Sequence, residues 1–310
     1  MSLTVVGTTV VDIIITLVRR LPTWPRHSEF TPDNLVLLNN APLVTLGGNG
    51  ANAAYVAACN GVSVDLQTNI GEDAFGAMAR GWLAEAGCRI LHSGKARRTA
   101  VNITAANARH ARATFFYPGE ATTLPGKLSP KTTHLLVCGW PHPTALAMGR
   151  CFRVLRRQGK FTALDVGPFL KRPWTLTQLK PVLASLDLLL ANEYELNALT
   201  RSPDLAIGLQ KLRRYFDGHV VVKRGRHGAL WLPESSSRSH LVRAPKVRTV
   251  NTVGAGDSFN GALLAELCKG TKFAQALAHA AEMAAQVVAS QRGVLGAKIH
   301  GAGVHESKAS

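Results

Sequence analysis

The chain has 310 residues, 46% hydrophobic and 18% charged, enough to bury a sizeable core in one large domain or a large one with a small companion. Its 36 Lys and Arg against 19 Asp and Glu give a net charge of +17, which first raises nucleic acid as a partner. The basic residues form no block, aromatics are only 6%, and no zinc-finger, RRM or basic-helix pattern occurs, so that role is set aside. The charge is read instead as a trait of the host's proteins or as a field that attracts anionic substrates.

No apolar run reaches the about 18 residues of a membrane span. Leu3 to Val18 is apolar, but Asp12 interrupts it and Arg19 and Arg20 follow it, so it reads as a buried strand rather than a signal peptide. The cysteines (Cys59, Cys88, Cys138, Cys151 and Cys268) are odd in number and form no Cys-x-x-Cys. That argues against a disulfide framework or zinc site and makes a reducing cytoplasm the expected compartment.

In chain order, Leu3 to Ile15 is expected as a strand, Ala51 to Cys59 as a helix and Val62 to Thr68 as a strand. Gly76 to Ala86 is a helix, Thr133 to Cys138 a strand, Thr144 to Gln158 a helix and Phe161 to Val166 a strand. Leu186 to Ala191 is a strand, followed by helices at Tyr194 to Thr200 and Leu205 to Phe216. Val220 to Lys223 and Ala229 to Leu232 are strands, and Ser258 to Lys269 and Phe273 to Ala289 are the last helices. This alternation predicts a doubly wound α/β fold with a mainly parallel sheet.

Two stretches break the pattern. Arg20 to Thr45 carries Pro22, Pro25, Pro32 and Pro42 around Leu35 to Leu38, and Thr99 to Tyr117 reads as a hairpin around Asn107 to His110. They are expected to form a small β-lid, as excursions at about 17–45 and 97–118 from a single domain spanning 1–310 whose tail, 297–310, frays.

Asn251-Thr252-Val253-Gly254-Ala255-Gly256-Asp257 carries the most chemistry. Its glycines let backbone N–H groups turn inward at a helix N-terminus, where the dipole favours an anion such as phosphate. Asp257 stands at the mouth of that nest, suited to take a proton from an attacking hydroxyl; the plainer reading is a helix cap.

Leu46-Gly47-Gly48-Asn49-Gly50-Ala51-Asn52-Ala53 is a second glycine-rich turn opening a helix. Gly48, Gly50 and Ala53 also fit a dinucleotide pattern with Asp65 downstream, which keeps an NAD-binding oxidoreductase open as an alternative. Otherwise the small residues bring backbone close to a polyhydroxylated substrate, with Asn52 offering its amide. No Walker A motif is present.

Asn192 and Glu195 follow an apolar strand and supply hard oxygen ligands of the kind Mg²⁺ takes, or else an N-cap with a first-turn acid. Asp12 either meets sugar hydroxyls or ends its strand. Val221-Val222-Lys223-Arg224-Gly225 is a strand running into a glycine turn, fit to approach a nucleotide or to make a plain hairpin. Ala100, Asn102 and Thr104 share one face of the predicted hairpin. Arg97, Arg98, Arg109 and Arg112 nearby leave an acidic or phosphorylated sugar open.

Together these segments resemble, in order and over nearly the whole chain, the ribokinase-like (PfkB-type) carbohydrate kinases. Gly47 to Asn52 is similar to that family's Gly-Gly-x-Gly-Ala-Asn segment, and Ile70 to Gly76 follows at the usual place. Asn192 to Glu195 looks like its Asn-x-x-Glu, and Thr252 to Asp257 like its Thr-x-Gly-Ala-Gly-Asp.

The resemblance implies ATP-dependent phosphorylation of a hydroxyl on a sugar, or alternatively a nucleoside, and a lid that often makes a dimer. Asp257 would be the base, with Gly254, Ala255 and Gly256 as the anion hole. Asp12, Gly48 and Asn52 would meet substrate, Asn192 and Glu195 would organise Mg²⁺, and Asn192, Lys223 and Gly225 would lie near ATP; Asn102 is added as a substrate contact from the hairpin alternation alone, where its polar face either meets substrate or is only wet. Asn251 stands where the family usually has Asp, so little activation by a monovalent cation is expected. Asn49 stands where ribokinases commonly carry Lys, which argues against ribose.

Overall fold

The computed structural model describes residues 1–16, 18, 35–92, 96–107, 112–124, 128–139, 145–167 and 174–297. Its large sheet has nine strands. Seven are parallel: β1 (Ser2–Val6), β4 (Ser63–Thr68), β5 (Arg89–His92), β8 (Thr132–Cys138), β9 (Phe161–Asp165), β10 (Leu188–Asn192) and β11 (His219–Lys223). β12 (Ala229–Leu232) and β13 (His240–Val242) add an antiparallel edge, giving the order β13-β12-β11-β10-β9-β8-β1-β4-β5.

Both faces of this sheet are buried, as the unbroken apolar runs of its strands require. Leu188, Leu190 and Val221 face a core shared with α1 (Asn49–Cys59), α7 (Ala255–Cys268) and α8 (Phe273–Ala289). Leu189, Val220 and Val222, one residue out of phase, face a second core with α3 (Ala145–Arg157), α4 (Leu176–Leu183), α5 (Glu193–Thr200) and α6 (Leu205–Arg213). α2 (Ala74–Glu85) packs beside β5. The expected doubly wound architecture is therefore present.

The second sheet is small, in the order β3-β2-β6-β7, from β2 (Val10–Ile15), β3 (Leu43–Gly47), β6 (Ala100–Ala106) and β7 (Arg112–Tyr117). The single strand expected over Leu3 to Ile15 is thus two strands in different sheets. The break falls at Gly7, where a Cβ would lie 2.7 Å from Gly50 Cα, so α1 crosses there at backbone distance. Asn49 fastens the break: its Oδ1 accepts from Thr8 N (3.0 Å), Thr8 Oγ1 (2.9 Å) and Gly50 N (2.8 Å).

Four elements went unread in the sequence. β3 follows Pro42 inside the proline-rich stretch; β5 is a four-residue strand with a half-exposed centre, and β13 has only three residues. α4 carries Pro181 internally, yet Thr175 and Gln178 close a reciprocal capping box that starts it. Leu35 and Leu37 are not in a strand and stand exposed. Residues 17 and 19–34, the hairpin turn at 108–111 with Arg109, and the expected frayed tail beyond Ala297 lie outside the described residues. Among the described residues no helix is long and apolar enough to cross a membrane.

Candidate active site

The carboxyl ends of parallel strands are where open α/β sheets bind ligands. Here Asp165 ends β9, Asn192 ends β10 and Lys223 ends β11, with Asn192 registered beside Lys223. Facing them is the start of α7. Gly254 is its N-cap at φ +78°, a left-handed conformation that glycine adopts without strain. Ala255, Gly256 and Asp257 then make the first turn, whose N–H groups have no acceptor within the helix. Asp257 is a first-turn acid rather than the cap.

α1 lies against α7 because both are built of small residues. A Cβ on Gly261 would fall 2.2 Å from Ala53 O, so only glycine permits the approach. That contact brings Asn52 to Asp257: its Nδ2 donates to Asp257 Oδ2 at 3.0 Å. Asn52 Oδ1 is buried and, among the described residues, unpartnered. Gly48, at φ +89°, starts α1, and a Cβ there would be 2.4 Å from Thr8 O.

Asp12 is not at a strand end. It lies mid-strand in β2, 3% exposed, opposite Asn102 of β6, whose Nδ2 donates to Asp12 Oδ1 at 2.9 Å. A side chain at Gly47 would strike the Asp12 carboxylate. Among the described residues Asn102 Oδ1, like Asn52 Oδ1, is buried with no partner. An unpaired buried amide oxygen costs about 1–3 kcal/mol, and each of the two belongs to an amide whose nitrogen donates to a carboxylate, Asn52 to Asp257 and Asn102 to Asp12.

The helix dipole does not dominate at Asp257: burial, and then the charge of Asp165, push its carboxyl up to about 6, against the Asn52 hydrogen bond and Lys223. Burial and Asp165 likewise raise Glu195 to about 7. Burial raises Asp12, with the Asn102 donor opposing. Lys223 holds the opposite sign: burial works to lower its pKa, but Asp165, Glu195 and Asp257 together keep it raised.

Asn192 and Glu195 form a reciprocal capping box: Asn192 Oδ1 accepts from Glu195 N and Glu195 Oε2 from Asn192 N, both at 2.8 Å. The capping reading is therefore right for both. Asp165, Glu195 and Asp257 carry hard oxygen chemistry, but among the described residues no three acidic, His or Cys side chains are grouped as a metal site. Gly225 lies in an exposed turn two residues past Lys223, within a short 3-10 segment, Gly225–His227.

The described arginines do not form one cluster. Arg97 and Arg98 precede β6, while Arg112 pairs with Ala106 at its far end, and Arg109 is outside the described residues. Arg112 instead donates to the hydroxyl of Thr252, linking β7 to the nest loop. Asp165 and Asn260 were missed in the sequence. Asp165 sits before Val-Gly-Pro at a predicted strand end, and Asn260 is one helical turn past Asp257, so both signals were present.

The dinucleotide alternative fails on geometry. The strand entering the Gly48 turn is β3, antiparallel to β2 in the small sheet, not a central parallel strand. Asp65 is committed to Arg89 through two contacts of 2.7 and 2.6 Å.

Comparison with known proteins agrees with this geometry. A model of the pfkB family of carbohydrate kinases matches residues 2–297. Arabidopsis thaliana ribokinase complexed with ribose and ATP superposes with a TM-score of 0.77 at 20% identity, covering 96% of this chain and 95% of that one. Cryptococcus neoformans ribokinase in complex with ADP gives 0.76 at 23% identity, covering 96% of each chain. A Methanocaldococcus jannaschii nucleoside kinase gives 0.73 at 17%, covering 96% and 94%. Among curated proteins, 1-phosphofructokinase of Escherichia coli K12 is 38% identical over 66 residues, a match spanning 21% of this chain and 20% of that protein.

Proposed function

The chain belongs to the pfkB family of carbohydrate kinases, and from that premise we propose that it transfers the γ-phosphoryl group of ATP to a hydroxyl of a sugar-like molecule. The observation that carries this reading is the Asn52 amide of α1 reaching the half-buried Asp257 carboxylate in the first turn of α7, beside the Gly254–Gly256 amides. Asp12, Gly48, Asn52 and Asn102 hold the acceptor; Asp257 takes its proton; Gly254, Ala255 and Gly256 receive the charge that develops on the phosphoryl group. Mg²⁺ would be held by Glu195, steadied by Asn192, and would supply charge neutralisation at the phosphates. Lys223 and Gly225 flank the nucleotide.

The reading also takes the chain as one domain with a lid, acting in the cytoplasm. A second copy is the lid's partner, supported by the exposed Phe115, Phe116 and Tyr117 of β7. The nucleotide class is tested by thermal shift. ATP with Mg²⁺ at 100 times its dissociation constant is expected to stabilise the protein by about 2.7 kcal/mol, with NAD giving no shift. Stabilisation by NAD and none by ATP would overturn the proposal. The same screen against sugars, sugar acids and nucleosides identifies the acceptor.

Two further results are expected. The base works ionised, so its raised pKa means activity is lost as pH falls through about 6. A profile flat down to pH 5 would contradict this.

Potassium is expected to stimulate little over sodium. The Asn251 Oδ1 is already taken by Val253 N at 3.0 Å, and an amide lacks the charge to hold a monovalent ion firmly. Saturable, several-fold activation by potassium would show that inference wrong.

A further inference from the structure

Lys223 flanks the nucleotide in the function above, but the part of the nucleotide that its ammonium meets is not yet assigned. Its ammonium is 3.0 Å from Asp165 Oδ1 and 3.1 Å from Asn260 Oδ1, and its side chain is only 13% exposed. Asn260 lies on α7, one turn past the nest, so the ammonium is drawn against the first turn of that helix. A Cβ built on Gly256 would meet Lys223 Nζ at 3.7 Å. The cation thus stands within van der Waals range of the Gly256 flank of the nest.

A buried ion pair is weak evidence for stability, because desolvation of both partners offsets their attraction. Such a pair beside an anion nest does something a hydrophobic pair cannot: it fixes a positive charge in a low-dielectric region before the reaction begins. We propose that Lys223 is an electrostatic element of phosphoryl transfer, held by Asp165 and Asn260 so that its ammonium acts with the Gly254–Gly256 amides on the terminal phosphate of bound ATP. Asp165 and Asn260 are then positioning residues for Lys223. This rests on the kinase reading, and it differs from a general nucleotide contact in assigning the charge to the terminal phosphate rather than to the adenosine part.

The test separates the cation from the pair. Asp165→Asn keeps the ammonium and loosens its tether; Asp165→Asn with Lys223→Met removes both charges and leaves no buried ion unpaired. The single variant is expected to retain at least about a tenth of wild-type turnover, and the double variant to lose roughly a hundredfold, the scale of removing one transition-state donor. By calorimetry with Mg²⁺, the double variant should bind a non-hydrolysable ATP analogue at least about tenfold more weakly. Its affinity for AMP should change less than about threefold, because that ligand lacks the phosphate concerned.

Equal turnover in the two variants, or unchanged binding of the analogue in the double variant, would reduce the pair to a structural one and overturn the proposal. If the double variant melts below the assay temperature, Lys223→Gln in the Asp165→Asn background carries the same test. A wild-type protein that fails to bind the analogue would instead overturn the kinase reading.

Discussion

Asp257→Asn is expected to lower turnover by roughly two to four orders of magnitude, the usual range for a positioned general base. It should do so without lowering the melting temperature. Asp257 is not the cap of α7, so no capping bond is lost. Its carboxyl is raised to about 6 by burial and by Asp165, so at neutral pH the folded state carries a charge it disfavours. The sign follows: the native protein gains stability from the protonated form below the unfolded value and loses it as pH rises through about 6. A neutral amide removes that cost, and the variant should melt at or above the wild type. ATP affinity should persist. Turnover within about threefold of wild type would leave Asp257 without its assigned role.

Gly254→Val should be damaging in a different way. The residue would have to adopt φ +78°, costing about 1–2 kcal/mol, and its Cβ would fall 2.6 Å from Val294 Cγ2 and 2.9 Å from Asn52 Nδ2. Overpacking adds about 1–3 kcal/mol, so the melting temperature should drop by roughly 5 °C or more. Displacing Asn52 also frees the base from its hydrogen bond, so turnover should fall beyond what instability explains.

Gly256→Ala is the informative contrast. Its Cβ has room in the protein, 3.7 Å from Lys223 Nζ, so the fold should be untouched. Any loss of nucleotide affinity then reports a ligand lying against that position. A Gly254→Val protein with wild-type melting and turnover would contradict this account of the nest.

Much of this site could be read from residue order. The glycines at 47, 48, 50 and 254 declare themselves because only glycine allows the close approaches that the structure contains. Hydrophobic runs such as Leu188 to Ala191 marked strands buried on both faces, and with them the layered fold. What escaped were interactions between distant segments. Nothing near Asp12 reveals that its partner is Asn102, ninety residues away, or that Gly47 must be glycine to clear the carboxylate.

Asp165 was overlooked because its role depends on Lys223, two strands away in the sheet. Short edge strands β5 and β13 carry too few buried residues to leave a pattern. The raised pKa of Asp257 was not legible for a related reason. A helix N-terminus is visible in sequence, but the depth of burial and the second carboxylate beside it are properties of the assembled site.

The central claim is that Asp257 and the Gly254–Gly256 nest move a phosphoryl group from ATP to a hydroxyl. It is tested most directly with ATP labelled at its γ-phosphate, incubated with Mg²⁺ and a panel of sugars, sugar acids and nucleosides. The account predicts label in one acceptor with the wild-type protein and none above background with Asp257→Asn. No transfer to any acceptor, or equal transfer by the two proteins, would contradict it.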